Sequence, residues 1–206
     1  MFTKQIGMDN AMRVLIDFAN NNATRKLILV AGPTCAGKSH LVKLLSNSLE
    51  SASIVVLDDY FRDIDDPDLP MIACRTTFDA PMSYHRSEIH GHVEKLMAGN
   101  DIECPVYSIA SNRRLAQTKA IRSSAIIIVD GLFAIRELAV RYASAISVYV
   151  EAGEETRLKR RIKRNLETYG ISEEATRRNF YGKVLPLQRM YVEPQRIKAS
   201  IIAIGD

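Results

Sequence analysis

Eight residues, Gly32-Pro33-Thr34-Cys35-Ala36-Gly37-Lys38-Ser39, restrict the folds open to this chain more than any others. They fit the pattern G-x-x-x-x-G-K-[ST]. An apolar run ending at Ala31 precedes them, and a helical periodicity of Leu41, Leu44, Leu45 and Leu49 follows. Strand, glycine loop and helix in that order is the setting in which this pattern binds phosphate. Gly32 and Gly37 let backbone N–H groups wrap closely around an anion, Lys38 supplies charge to it, and the Ser39 hydroxyl can ligate a divalent cation. Pro33, Thr34, Cys35 and Ala36 complete the loop, with Cys35 read as a small loop residue and not a nucleophile.

A glycine loop of this kind needs a parallel sheet behind it, and the chain supplies one. Lys26–Ala31, Ser53–Leu57, Ala125–Val129, Ile146–Val150 and Ala199–Ile204 are apolar throughout and predict five strands buried on both faces. Helical spacing between them predicts helices over Met8–Asn20, His40–Leu49, Ser87–Ala98, Leu132 to about Tyr142, Glu154–Glu167 and Glu173–Tyr191. Gly170 breaks the last two apart, and Pro186 should kink or interrupt the second. Asp58–Pro81 is rich in Asp and Pro and reads as a long functional loop or cap. Ile102–Ser108 reads as a hairpin arm, because Pro105 argues against a central strand. The expectation is one α/β domain over 1–206 with helices on both faces of the sheet: an N-terminal helix within 1–22, an acceptor-binding insertion over about 58–120, and a lid over about 154–171.

Composition closes several other routes. With 47% apolar and 25% charged residues, a wholly disordered chain is excluded. No apolar run approaches the roughly 20 residues of a membrane helix, and no leader is expected from Met1–Asn10. Three widely spaced cysteines (Cys35, Cys74 and Cys104) form neither a disulfide framework nor a CxxC zinc site, which suits a reducing, cytoplasmic setting. His40, His85, His90 and His92 lack metal-ligand spacing and read as surface or structural.

Charge then locates a second feature. The net charge is +4, yet Arg157–Arg164 alone holds six cations, and without them the chain is net negative. The basic character is therefore local, marking either a solvated helix face or a place that meets a concentrated anion. Arg157, Arg161 and Arg164 fall on one helical face and are expected to aim at one anion. A further acidic residue, Asp130, follows the apolar strand Ile126–Val129, where it can hold Mg²⁺ or its water shell together with Ser39.

The chain from Leu27 to Gly205 resembles uridine (uridine–cytidine) kinases of the phosphoribulokinase/uridine kinase family. The matching stretches are GPTCAGKS at 32–39, LDDYFRD at 57–63, TFDAPMSYH at 77–85, PVYSIASNRR at 105–114, IIIVDGLFAI at 126–135, TRLKRRIKRNLETYG at 156–170 and YVEPQRIKASII at 191–202. The resemblance implies a P-loop kinase using ATP (or GTP) and Mg²⁺ to phosphorylate the 5′-hydroxyl of uridine or cytidine, giving UMP or CMP in pyrimidine salvage. It also implies a small-molecule partner with no nucleic acid or membrane, and a homo-oligomer. By the same resemblance, Asp58 is the carboxylate that accepts the hydroxyl proton. Asp79 holds ribose hydroxyls, Phe61, Phe78 and Tyr107 wall the nucleoside, and Arg161 and Arg164 close over the phosphates.

Several positions depart from the family pattern. Asn112 stands for a histidine that reads the pyrimidine edge, Ile109 for an aromatic, Tyr169 and Ile171 for two lid arginines, Asn179 for a glutamine, and Asp59 for a small polar residue. The chain ends at Asp206, where the family usually continues into a loop near the adenine. The phosphotransfer half is intact while the acceptor half has drifted, so two other readings stay open. One is a kinase of another small alcohol (a sugar, a vitamin precursor or another nucleoside). The other is a nucleotide-binding regulator or RNA-binding protein using Arg157–Arg164 as its electrostatic contact.

Overall fold

The computed structural model describes residues 4–21, 24–72 and 74–205. Readings that touch Met1–Thr3, Asn22, Ala73 or Asp206 lie partly outside them. In chain order, strand β1 (Lys4–Gly7) leads directly into helix α1 (Met8–Asn20), followed by β2 (Lys26–Ala31), α2 (Lys38–Ser48) and β3 (Ser53–Val56). A 3₁₀ turn, Leu57–Tyr60, a two-residue strand pair β4 (Met71–Ile72) and β5 (Arg75–Thr76), and α3 (Arg86–Met97) come next. The chain continues with the hairpin β6 (Ile102–Ser108) and β7 (Arg113–Ile121), then β8 (Ile126–Asp130), α4 (Ala134–Leu138), β9 (Ile146–Glu151) and α5 (Glu154–Tyr169). It closes with α6 (Glu173–Asn179), a π turn (Phe180–Val184), α7 (Leu185–Tyr191), a 3₁₀ segment (Glu193–Lys198) and β10 (Ile201–Ile204).

All five expected strands pair in one parallel sheet, in the order β1-β10-β9-β2-β8-β3. The sixth member, β1, adds to the β10 edge in parallel register, Lys4 opposite Ile201. Nothing in its polar sequence announced a strand, since an edge strand's conformation is set by the neighbour it pairs with.

Alternation along each strand divides the interior into two layers. Leu27, Leu29, Ile127 and Val129 face one core with Ile89, Val93, Leu96, Ile135 and Leu138 of α3 and α4. Ile28, Val30, Ile126 and Ile128 face the other with Ala11, Leu15, Leu41 and Leu45 of α1 and α2. Both faces of the sheet are thereby covered, as a parallel sheet requires.

Two helix expectations change. The segment from Leu132 to Tyr142 is helical only over Ala134–Leu138, although Ile135 and Leu138 are buried as the spacing implied. Glu173–Tyr191 is not interrupted at Pro186: one wide π turn precedes the proline and the helix runs on, with the Leu185 N–H donating to the Phe180 carbonyl five residues back. A proline ring presses on the carbonyl four residues behind it, here that of Gly182, and the wider turn relieves that contact.

Candidate active site

The functional residues converge because of register. Asp130 stands opposite both Val30 and Val56 across the sheet. Two residues beyond those partners come Gly32 and Asp58, so three strand ends deliver a glycine loop and two carboxylates to one edge. Ligands bind at this carboxyl end in open parallel sheets.

The loop geometry explains its glycines. Gly32 has φ +143° and lies against the backbone carbonyl of Val150, which a Cβ would strike. Gly37 has φ +110°, a region that L side chains rarely adopt. Cys35 also takes a left-handed backbone, φ +59°. Lys38 Nζ donates to the Pro33 carbonyl at 3.1 Å, curling over the loop.

Beneath it, Ser39 Oγ donates to Asp130 Oδ2 at 2.9 Å, while Asp130 Oδ1 is buried with no hydrogen-bond partner among the described residues. Burial pushes the Asp130 carboxyl up, with Lys38 and the Ser39 bond opposing. A hydroxyl beside a buried carboxylate with a free oxygen is a donor set that fits Mg²⁺, a hard cation that takes few protein ligands and keeps phosphates and waters. Among the described residues no cluster of three or more His, Cys, Asp or Glu is arranged around a metal. His92 Nδ1 instead meets Tyr60 Oη at 2.9 Å, in accord with a structural role.

A cavity of about 1370 Å³ opens over this edge. Lys38, Ser39, Asp58, Asp79, Asp130, Phe61, Phe78, Asn112, Arg161 and Arg164 all line it. Asp58 sits in the 3₁₀ turn after β3. Burial raises its carboxyl to about 6, with Asp130 adding to the rise and Lys38 opposing it. Asp79 is raised too, by burial, against a hydrogen bond from Gln188 and the charges of Arg161, Lys183 and Lys38.

Phe61 packs edge-on to Phe78 at 5.2 Å between centroids and stacks on Tyr84 at 4.6 Å. Its position is thus set by core packing behind it. The acidic stretch after Asp58 is also not merely solvated. Asp59 pairs with Lys119, Asp63 accepts from the Arg114 N–H at 2.7 Å, and Asp65 pairs with Arg113 at 2.8 Å. These contacts clamp the β6–β7 hairpin to the site, and they give Asp59 a partner on the hairpin where a small residue was expected.

Two expected site residues are placed elsewhere. Tyr107 is not on the cavity wall: its hydroxyl donates to the Arg62 carbonyl at 3.2 Å, and its ring backs Phe61 and Phe78 at 5.6 and 6.3 Å. Arg157 does not join Arg161 and Arg164 at the cavity. It is only 4% exposed, its Nη1 donates to Gln188 Oε1 at 3.0 Å, and it lies over the Phe180 ring at 5.7 Å. One turn nearer the start of α5, it faces the α6–α7 helix instead of the loop.

Arg161 does reach the loop, donating to Thr34 Oγ1 at 3.2 Å, and also reaches Asn179 Oδ1 at 3.4 Å. Arg160, given no role from sequence, donates to the Gly205 carbonyl at 2.8 Å and lines the cavity with Met8, the first residue of α1. Asn112 caps the hairpin turn with φ +51°, a backbone that asparagine tolerates better than most residues. Ile109, Tyr169 and Ile171 leave apolar surface on the cavity rim.

Comparison with known proteins agrees with this geometry. The sequence profile of the Phosphoribulokinase / Uridine kinase family matches residues 27–204. A uridine kinase of Halobacterium salinarum is 27% identical over 174 residues, 84% of this chain and 77% of its own. One from Clostridium botulinum is 27% identical over 179 residues, 85% of this chain and 86% of its own.

Among solved structures, a Silicibacter protein provisionally described as a fructose transport system kinase superposes with TM-score 0.78 at 17% identity, covering 96% of this chain and 98% of its own. D-glycerate 3-kinase from Cryptococcus neoformans superposes at 0.70 with 14% identity, covering 95% and 92%. The profile spans β2 to β10 and with them the phosphate loop, both strand-end carboxylates and the basic helix α5, so the chain belongs to the phosphoribulokinase/uridine kinase family.

Proposed function

We propose that this protein transfers the γ-phosphoryl group of ATP to the 5′-hydroxyl of a pyrimidine ribonucleoside. One observation carries the reading: two carboxylates of different strands and loops, Asp58 and Asp79, share a cavity with Lys38, Ser39 and Asp130. The loop and Lys38 hold the phosphates. Ser39 and Asp130 would hold Mg²⁺, which when bound neutralises charge between the phosphates. Asp58 accepts the proton of the attacking hydroxyl as its oxygen bonds to the γ-phosphorus and ADP departs. With its carboxyl at about 6, Asp58 is ionised at neutral pH yet still basic enough to take a proton. Arg161 and Arg164 bring positive charge to the transferring group. Phe61 and Phe78 offer apolar walls to a planar base beside the ribose that Asp79 engages. Three unpaired cysteines fit a reducing, cytoplasmic setting.

Arg157–Arg164 as a nucleic-acid contact loses ground, because Arg157 is buried on Gln188 while Arg160 and Arg161 hold the protein's own loops. A different small alcohol as acceptor is favoured by one feature: Ile109, 51% exposed, gives the hairpin end of the cavity an aliphatic surface where an aromatic was expected. The test is a panel of ribonucleosides, deoxyribonucleosides, pentoses and small alcohols offered with Mg-ATP, read by ADP release. Uridine or cytidine should turn over, and their deoxy forms should turn over poorly. Turnover of a non-nucleoside alcohol with none of any ribonucleoside would overturn the acceptor assignment.

A further inference from the structure

Gln188 lies on α7 with no exposed surface, and both heteroatoms of its amide are hydrogen-bonded. Oε1 accepts from the Thr34 N–H at 3.2 Å and from Arg157 Nη1 at 3.0 Å, while Nε2 donates to Asp79 Oδ1 at 3.1 Å. The three partners belong to the phosphate loop, the lid helix α5 and the loop after β5. Their chemistry fixes the amide's orientation, since two donors must meet its oxygen and a carboxylate its nitrogen. Glutamate at this position would satisfy the two donors and oppose Asp79. An aliphatic side chain would leave a buried guanidinium and a backbone N–H unpaired.

We propose that Gln188 is a positioning residue for the acceptor: by holding Asp79 Oδ1 it presents the other carboxylate oxygen to the cavity and ties the acceptor's seat to the phosphate loop. This rests on Asp79 being that seat. Asp79 is otherwise anchored by its own N–H, which donates to Thr77 Oγ1 at 3.1 Å. Burial disfavours its ionised form, and the Gln188 donor acts against that, together with the facing cations Arg161, Lys183 and Lys38. A seat held from the phosphate loop keeps the acceptor oxygen aligned with the transferring phosphoryl group, where small misplacements are costly in rate.

The test compares Gln188→Glu, Asp79→Asn and the double variant by steady-state kinetics with Mg-ATP and uridine. Gln188→Glu keeps the volume and both contacts to Thr34 and Arg157, so the ATP KM should stay within about twofold of wild type. The uridine KM should rise about tenfold or more at pH 8. Relative to wild type at the same pH, most of that rise should vanish at pH 6, where the facing carboxylates share a proton. In the Asp79→Asn background the added Gln188→Glu change should move the uridine KM by less than about twofold.

An unchanged uridine KM in Gln188→Glu, with a raised one in Asp79→Asn, would overturn the role of Gln188 and leave that of Asp79 standing. No effect of Asp79→Asn would overturn both. A carboxyl NMR titration of Asp79 needs no acceptor and decides the matter even if uridine is not turned over. Gln188→Met should raise the Asp79 midpoint through loss of its donor, and an unmoved midpoint would refute the coupling.

Discussion

Replacing Asp58 by asparagine should make the protein more stable and nearly inactive, and the two effects should separate with pH. Burial, with the Asp130 charge adding to it and Lys38 opposing, lifts the carboxyl from 3.8 to about 6 in the folded chain. A folded value above the unfolded one means that the ionised form is penalised by folding. The wild type is therefore relatively more stable below about pH 4 and loses that advantage as pH rises through about 6. Roughly two units at about 1.36 kcal/mol each set a ceiling of about 3 kcal/mol of destabilisation at neutral pH. Solvent at the cavity mouth screens part of this, and the asparagine amide must itself be desolvated. About 1–2 kcal/mol should reach the measurement, a rise of about 2–8 °C in Tm for a domain of this size. Thermal unfolding followed at pH 7.5 and pH 4 should show the gain at the first and almost none at the second. Phosphotransfer should fall by about 10²-fold or more, because an amide cannot take the hydroxyl proton. An Asp58→Asn protein no more stable than wild type at pH 7.5, or equally stabilised at both pH values, would refute the burial argument.

Lys38→Ala should abolish turnover of any acceptor and weaken Mg-ATP binding by calorimetry, since it removes the charge on the phosphates and leaves most loop N–H groups in place. Asp130→Asn should shift the Mg²⁺ dependence of the rate about tenfold upward, with binding of metal-free ATP little changed, as read by Mg²⁺ titration. Asn112→His should raise the ratio of kcat/KM for pyrimidine over purine ribonucleosides, at a stability cost of about 1 kcal/mol for a bulkier residue at φ +51°. An unchanged ratio would remove Asn112 from base recognition.

The parts of the site legible in the sequence are those whose chemistry is written into the local backbone. Gly32 and Gly37 announce themselves because the loop demands conformations that other residues resist. Asp58 and Asp130 do so because a carboxylate at the end of a wholly apolar strand has few places to be. Strand β1 was invisible for the opposite reason: Lys4–Gly7 carries no pattern of its own and is extended because β10 offers a free edge. The arginine cluster misled in part. Counting charge groups Arg157 with Arg161 and Arg164, while packing against Phe180 and Gln188 takes it out of the cavity. Tyr107 shows the same limit, since an aromatic at a position that resemblance assigns to the pocket wall can line the pocket or brace the wall from behind. Gln188 could not be found from its surroundings in sequence, as its partners lie 31, 109 and 154 residues away.

What brings Gln188 to those partners is the π turn, and behind that Pro186. Thr176, Phe180, Val184 and Gln188 are all buried and recur every four residues. In a regular helix with 3.6 residues per turn, a four-residue spacing drifts about 40° at each step, or about 120° from Thr176 to Gln188. Such a drift would swing the last of the four away from the face that covers α5 and the loop. One extra residue accommodated in the wide turn at Phe180–Val184 takes back about 100° of that drift. Gln188 then stays in line with Thr176, which accepts from Asn165 on α5, and reaches Arg157 two turns further along the same helix. The proline that looked from sequence like a helix breaker is on this account the residue that sets the helical phase. Through that phase α5, the phosphate loop and Asp79 are joined at one amide.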